Sequence, residues 1–223
     1  MKTLAIWLPT YKRPHKLAAV AKNIEENTKS SFTLYFGIEP DDSESYKAAR
    51  ATGHEVIVNN YEVGYSNTIQ TMYENSKEPF WFHANDDFFF LPNWDEAPLS
   101  MFGRKDLMVV GVPQRPDDVD YSAICFGRRS YIENMSGVLD MPNRVFYPYH
   151  HNYQDTEFTR TAKARGVWAA STTPCIDHLH AGFTGEPKDD TYKKNDATSP
   201  LDAATFESRR HLWENYDGIQ NIR

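Results

Sequence analysis

Cysteine is scarce in this chain. The 223 residues contain two, Cys125 and Cys175, too few and too far apart for a disulfide framework or a C-x-x-C zinc site. No apolar run reaches the length that crosses a bilayer, since even residues 107–112 amount only to a strand. The opening apolar run is shorter than a secretory core and ends at Pro9 and a basic cluster, so it reads as a buried first strand. A soluble, cytoplasmic protein without membrane insertion is expected. Positive charge is in deficit, with 24 Lys and Arg against 31 Asp and Glu and a formal charge of −7. No chain-wide field therefore draws it to nucleic acid, although a local basic groove stays open. The loops G-x-S-x-G, G-x-x-x-x-G-K-[ST] and G-x-G-x-x-G are all missing, which removes the serine hydrolase, P-loop and dinucleotide readings. Low-complexity tracts and repeats are missing too, and 14% aromatic residues argue against disorder.

What is present suits one sizeable core. Residues 4–8 form a short apolar run, followed by Leu17, Val20 and Ile24 at helical spacing. Residues 32–38 and 55–58 read as further strands, the former ending in the polar loop 39–42. Gly64 precedes a helix whose Tyr65, Ile69, Met72 and Tyr73 share a face, and residues 79–83 run as a strand into Asn85-Asp86-Asp87. Such alternation predicts an α/β fold with a mostly parallel sheet covered on both faces. Later segments read as strands over 107–112, 122–126 and 167–170. A helix is expected over 155–165, with Gly166 just past its end in a left-handed cap. Residues 185–200 are polar enough to predict a loop or lid. Ser199-Pro200 then reads as a cap opening a C-terminal helix from 201 to about 216.

Chemistry concentrates where parallel strands end, the usual ligand side of an open α/β sheet. Asp86 and Asp87 sit between Trp81-Phe82 and Phe88-Phe89-Phe90, and adjacent carboxylates inside such walls call for a cation or a hydrogen-bonding ligand. Asp177-His178-Leu179-His180 places two imidazoles on one side of an extended segment. With Asp87 they suit Mn²⁺ or Mg²⁺ shared with phosphate oxygens, and zinc is the competing reading. Asp155, at the start of its helix, fits either an N-cap or a catalytic base. His150 and His151 point to opposite sides and read as packing or acceptor contacts.

Leu8-Pro9-Thr10-Tyr11-Lys12-Arg13-Pro14, Val63-Gly64-Tyr65-Ser66-Asn67, Phe82-His83-Ala84-Asn85-Asp86-Asp87 with Leu91-Pro92-Asn93-Trp94, Tyr153-Gln154-Asp155-Thr156-Glu157-Phe158 and His178-Leu179-His180 occur in an order more specific than any one of them. Together they resemble a nucleotide-sugar glycosyltransferase of the GT-A fold, similar to the family 2 enzymes, over roughly residues 1–185. Asn85 departs from the first aspartate of the usual acidic triplet, and Gln154 from the glutamate of the usual acidic pair.

The resemblance implies a single GT-A, Rossmann-like domain over 1–184, with a nucleotide half 1–95 and an acceptor half 96–184, then a lid and helix over 185–223. It implies that Pro9, Thr10, Tyr11, Arg13, Glu39, Asn67, Asn85 and Asp86 meet the nucleotide-sugar donor, a UDP-sugar foremost. Asp87 with His178, or His180 as the alternative, would hold Mn²⁺ or Mg²⁺. Asp155 would deprotonate an acceptor hydroxyl for inverting transfer. Lys188, Lys193 or Lys194 would touch phosphate from the lid. Residues 114–120, Arg128-Arg129 and residues 147–153 would line the acceptor, a glycan or a hydroxymethylated DNA base. The competing readings are a noncatalytic sugar- or nucleotide-binding module of the same fold and a metal-dependent nucleotidyltransferase.

Overall fold

Strand β1 (Leu4–Thr10) is buried along its whole length, which requires cover on both faces. Its alternate side chains supply that cover: Leu4, Ile6 and Leu8 enter one apolar layer, Ala5 and Trp7 the other. In this computed structural model, which describes residues 2–118, 120–121, 123–185 and 187–217, β1 is central to a seven-stranded sheet. Its strands are β1, β2 (Phe32–Ile38), β3 (Glu55–Val58), β4 (Phe80–His83), β6 (Val109–Val112), β7 (Ile124–Arg128) and β8 (Trp168–Ala170), in the order β3-β2-β1-β4-β7-β6-β8. Neighbours are parallel except around β7, which runs against both β4 and β6. The α/β, mostly parallel architecture read from the sequence is the one observed.

Helices α1 (Pro14–Asn27) and α2 (Ser43–Ala51) cover the first face, through Leu17, Val20, Ala21, Ile24 and Ala49. Pro14 starts α1 where its missing N–H has no helical partner to lose. On the second face, α3 (Tyr65–Asn75), α5 (Arg129–Met135) and α6 (Gln154–Ala164) pack Ile69, Met72, Tyr131, Ile132, Phe158 and Ala162 around Trp7, which stacks on Trp81 at 5.0 Å. A second sheet of two short strands, β5 (Phe88–Phe90) and β9 (Ile176–His178), pairs Phe88 with His178. Gly166 sits past α6 at φ 70°, as its position in the sequence led one to expect.

Several expectations need correction. Helix α2, the short α4 (Glu96–Met101), α5 and β5 were not anticipated; α2 is announced only by Asp42, whose carboxylate caps it through Ser45 N–H at 3.1 Å. Asp155 is not an N-cap. Tyr153 at φ 72° is the capping residue, and Asp155 lies inside the first turn. The strand expected over 122–126 is displaced to β7, and Ser122 lies outside the described residues.

The largest correction concerns residues 185–200. After a short α7 (Ala181–Thr184), residues 190–200 form the first half of α8 (Asp190–Arg209), capped by Asp189 and running through Pro200; the short α9 (His211–Glu214) follows. Ser199-Pro200 therefore opens no helix. An interior proline costs about 3 kcal/mol. Tertiary anchors along α8 offset it: Asp189 pairs with Arg13, and Asp202 accepts the backbone N–H groups of His150, His151 and Asn152 at 2.8–2.9 Å. At its far end Arg209 bonds Glu157 and Asp140 and lies over the Tyr147 ring at 3.6 Å. Arg209→Ala leaves the Glu157 carboxylate, 1% exposed, without its cation. A loss of about 3 kcal/mol is expected, read as a lower urea midpoint, and Arg209→Lys should recover little because the fork of bonds is lost.

Among the described residues, no helix is long and apolar enough to cross a membrane.

Candidate active site

A cavity of about 520 Å³ opens at the carboxyl ends of β1, β2 and β4. Pro9, Thr10, Tyr11 and Arg13 wall it from the first strand, Glu39 from the second, and Asn85, Asp86 and Asp87 from the fourth. The start of α3, residues 150–156 and the inner face of α8 close the other sides. That face consists of Thr191, Tyr192, Asn195, Thr198 and Ser199, polar residues at helical spacing, which is why no apolar period marks the helix in the sequence.

Asp86 is buried and held by Thr10 Oγ1 at 2.7 Å and Arg13 Nη1 at 2.8 Å. Burial pushes its carboxyl above the usual range while Arg13 pulls the other way. Arg13 also bonds Asp189 at 2.8 and 3.1 Å and lies over the Tyr192 ring, so one guanidinium links the acidic strand end to the cap of α8.

Asp87 and His178 carry the most specific geometry. Asp87 Oδ1 and His178 Nε2 lie 3.2 Å apart, both buried and both without a hydrogen-bond partner. On the far side of the ring, His178 Nδ1 meets Gln114 Oε1 at 3.2 Å. A carboxamide oxygen only accepts, so Nδ1 carries a proton, and in the neutral ring the Nε2 lone pair then faces the carboxylate. Two lone pairs facing each other repel unless a cation lies between them. Adjacent ligands of an octahedral Mg²⁺-like ion with bonds near 2.1 Å are about 3.0 Å apart, close to the observed spacing. Among the described residues no group of three His, Cys, Asp or Glu converges to hold a metal. The pair therefore suits a hard cation that takes its other ligands from phosphate and water, and the closed tetrahedral zinc reading loses its support. Burial opposes charge on Asp87, while the Tyr192 hydroxyl donates to its Oδ2 at 2.6 Å and favours the carboxylate.

His180 serves a different purpose. Its Nδ1 accepts the Gly182 N–H at 3.0 Å and caps α7, which puts its proton on Nε2 and leaves no lone pair for a metal. Asp155 lines the cavity half-buried, bonded to Thr156 N–H at 2.7 Å, and burial pushes its pKa up to about 6. The carboxylate is thus a stronger base than an exposed one.

Other expected residues fall differently. Glu39 lies in the wall, but its oxygens are taken by Asn59, Gly64 N–H and Thr68, so it fixes the turn before α3. Asn67 is not in the wall: it bonds Arg144 and the Glu62 carbonyl. Arg128 and Arg129 lie at the end of the strands away from the cavity, because β7 runs against β4 and pairs Arg128 with Phe80 at the start of β4. Gln114 and residues 150–153 do reach the cavity, while Val119 lies outside the described residues. Lys188 is paired with Asp196 at 2.6 Å and Lys193 is exposed, neither in the wall; the Lys194 side chain lies outside what is described. Tyr192, Tyr65 and His83 were missed as wall residues. The helical spacing of Tyr192 from Asn195 and Ser199 was the available signal.

No protein-family model matches the chain, and no curated protein matches it in sequence. Solved structures do match in shape. Glucosyl-3-phosphoglycerate synthase from Mycobacterium tuberculosis, in complex with Mn²⁺, UDP and glucosyl-3-phosphoglycerate, superposes with a TM-score of 0.68 at 12% identity, covering 93% of this chain and 80% of that one. The same protein with Mn²⁺, UDP-glucose and phosphoglyceric acid gives 0.66 at 12%, covering 93% and 79%. The chain has the GT-A fold. A further structure, described only as a mycobacterial protein, matches this GT-A domain with a TM-score of 0.62 at 10% identity over 85% of this chain and 69% of that one. The sequence had pointed to the same fold through its ordered segments, not through overall identity.

Proposed function

We propose that this chain is a metal-dependent, inverting glycosyltransferase that moves a sugar from a nucleotide-sugar, a UDP-sugar foremost, to an acceptor hydroxyl. The observation that carries the reading is the unpartnered Asp87 Oδ1 and His178 Nε2 pair, 3.2 Å apart in the same cavity wall as Asp155. Structures of similar shape were solved with UDP or UDP-glucose and Mn²⁺, and one with Mg²⁺ and UDP, which supports that cation and that donor class here.

In this mechanism Asp87 and His178 would hold the cation, with Gln114 fixing the orientation of the imidazole through Nδ1. A divalent cation there supplies the charge that steadies the departing diphosphate. Asp155 accepts the proton of the acceptor hydroxyl as that oxygen bonds to the anomeric carbon. The bond from that carbon to the diphosphate breaks on the opposite face, which inverts the centre. Helix α8 shields the site through Tyr192 and Asn195.

The described wall carries Glu39, Asp86, Asp87 and Asp155 against the doubly paired Arg13. Such a field disfavours a polyanionic acceptor, so a glycan hydroxyl is the better fit than a modified base in DNA. Calorimetry with UDP and a panel of UDP-sugars, in Mn²⁺, Mg²⁺ and EDTA, tests the donor reading. Binding that disappears in EDTA is expected; no nucleotide binding in any cation overturns it.

A further inference from the structure

The cavity wall contains a second polar pair that the mechanism above leaves unused: Tyr65 at the start of α3 and His83 at the end of β4. Their direction can be worked out from the backbone. Cys125 donates its backbone N–H to His83 Nε2 at 3.3 Å, so that nitrogen must keep its lone pair. His83 is 2% exposed, and burial lowers its pKa to about 3, so the ring is neutral and its one proton lies on Nδ1. Nδ1 is 3.1 Å from the Tyr65 hydroxyl and donates to it. The phenol oxygen is thereby occupied as an acceptor, and its own proton has to point elsewhere. Among the described residues it meets no acceptor on the protein.

The surroundings of that proton narrow its target. Tyr65 stands in the cavity wall, its ring stacked near Phe146 at 6.5 Å and edge-on to His151 at 5.9 Å, so the ring is confined on two sides. Burial, then the charge of Asp155, then the thiol of Cys125 and the charge of Asp87, keep the phenol protonated far above its usual range. The hydroxyl is therefore within the field of both the base and the metal ligand. In the reading above, the atoms lying between those two carboxylates belong to the transferred sugar.

We infer that Tyr65 donates a hydrogen bond to a hydroxyl oxygen of the transferred sugar, its direction fixed by the backbone of Cys125 through His83. Tyr65 is thus a specificity-determining contact for the donor's sugar, and His83 a positioning residue behind it. A site that donates to one sugar oxygen favours sugars with an oxygen at that position over deoxy analogues, because an unmade buried bond is costly.

This inference rests on the glycosyltransferase reading, and the experiment separates the two. Calorimetry in Mn²⁺ compares UDP with the UDP-sugar that wild type binds best, for wild type and Tyr65→Phe. Wild type binding neither ligand is a failure of the functional reading and is visible before any variant is made. Given wild-type binding, Tyr65→Phe is expected to weaken the UDP-sugar about 10-fold and leave UDP unchanged. An equal loss for both ligands would move the contact to the diphosphate and overturn the sugar assignment, as would no loss for either. Nitrogen NMR of the His83 ring provides a second, variant-free check. A neutral ring protonated on Nδ1 at pH 7 is expected, and protonation on Nε2 would reverse the direction of the bond and overturn the inference.

Discussion

Replacing Asp155 with Asn is expected to lower kcat by about 10²- to 10⁴-fold while making the folded protein more stable above pH 6. Both effects come from the same burial. The carboxyl is raised from an ordinary 3.8 to about 6 in the folded chain, so between those values the native state binds the proton that the unfolded state has released. Stability from this group is fully present below pH 3.8 and declines as pH rises through about 6; above that, the folded protein carries a desolvated charge. A shift of that size amounts to about 3 kcal/mol at most, and partial solvent contact reduces it to about 1–3 kcal/mol. Urea titrations at pH 3.5, 5 and 8 should therefore show the Asn variant's advantage over wild type absent at the lowest pH, partial at pH 5 and largest at pH 8. The wild-type rate should fall on the acid side with a midpoint near 6. A variant that turned over at the wild-type rate would remove Asp155 from the mechanism and favour a different base or a noncatalytic binding module.

Loss of either proposed metal ligand, Asp87 or His178, is the second large effect expected. Asp87→Ala and His178→Ala should each abolish Mn²⁺-dependent nucleotide binding, by 100-fold or more as an order of magnitude, read both by calorimetry and by the electron paramagnetic resonance of free Mn²⁺. The double variant should be no worse than the singles, because one remaining ligand does not hold the ion and the two side chains act as a unit. Gln114→Ala should weaken the ion by about 10- to 100-fold through the freed imidazole, an intermediate loss that a direct ligand does not show. Retention of Mn²⁺-dependent binding in both single variants would place the cation elsewhere.

The sheet was legible because its strands are short apolar runs that end in polar loops; residues 32–38 and 55–58 coincide with β2 and β3. The place of Asp86 and Asp87 in the cavity wall was legible for the related reason that charge directly after a buried strand needs a partner. Helix α8 was not legible. Its inner face lines a polar cavity, so Tyr192, Asn195 and Ser199 carry the helical period in residues that read as loop-forming, and Pro200 reinforced that reading. The roles of His178 and His180 could not be separated by spacing either. They diverge because Gln114 takes the Nδ1 proton of one ring while the Gly182 amide occupies Nδ1 of the other. Arg128 was misplaced because chain order says nothing of which end of β7 faces the cavity, and Asn67 because its amide is taken by Arg144 and the Glu62 carbonyl.

The pairing of β5 with β9 has a consequence for the lifetime of the protein. Three residue pairs join segments from positions 88–90 and 176–178, and two strands of that size are marginal by themselves. If Asp87 and His178 hold a cation as proposed, it would staple those distant segments together, and a bound nucleotide would tighten the staple. Each stabilises the native state in proportion to the logarithm of its concentration over its dissociation constant. On that reading, resistance to proteolysis near β9 would report donor binding, with the donor-saturated chain expected to be cut there more slowly than the donor-free one.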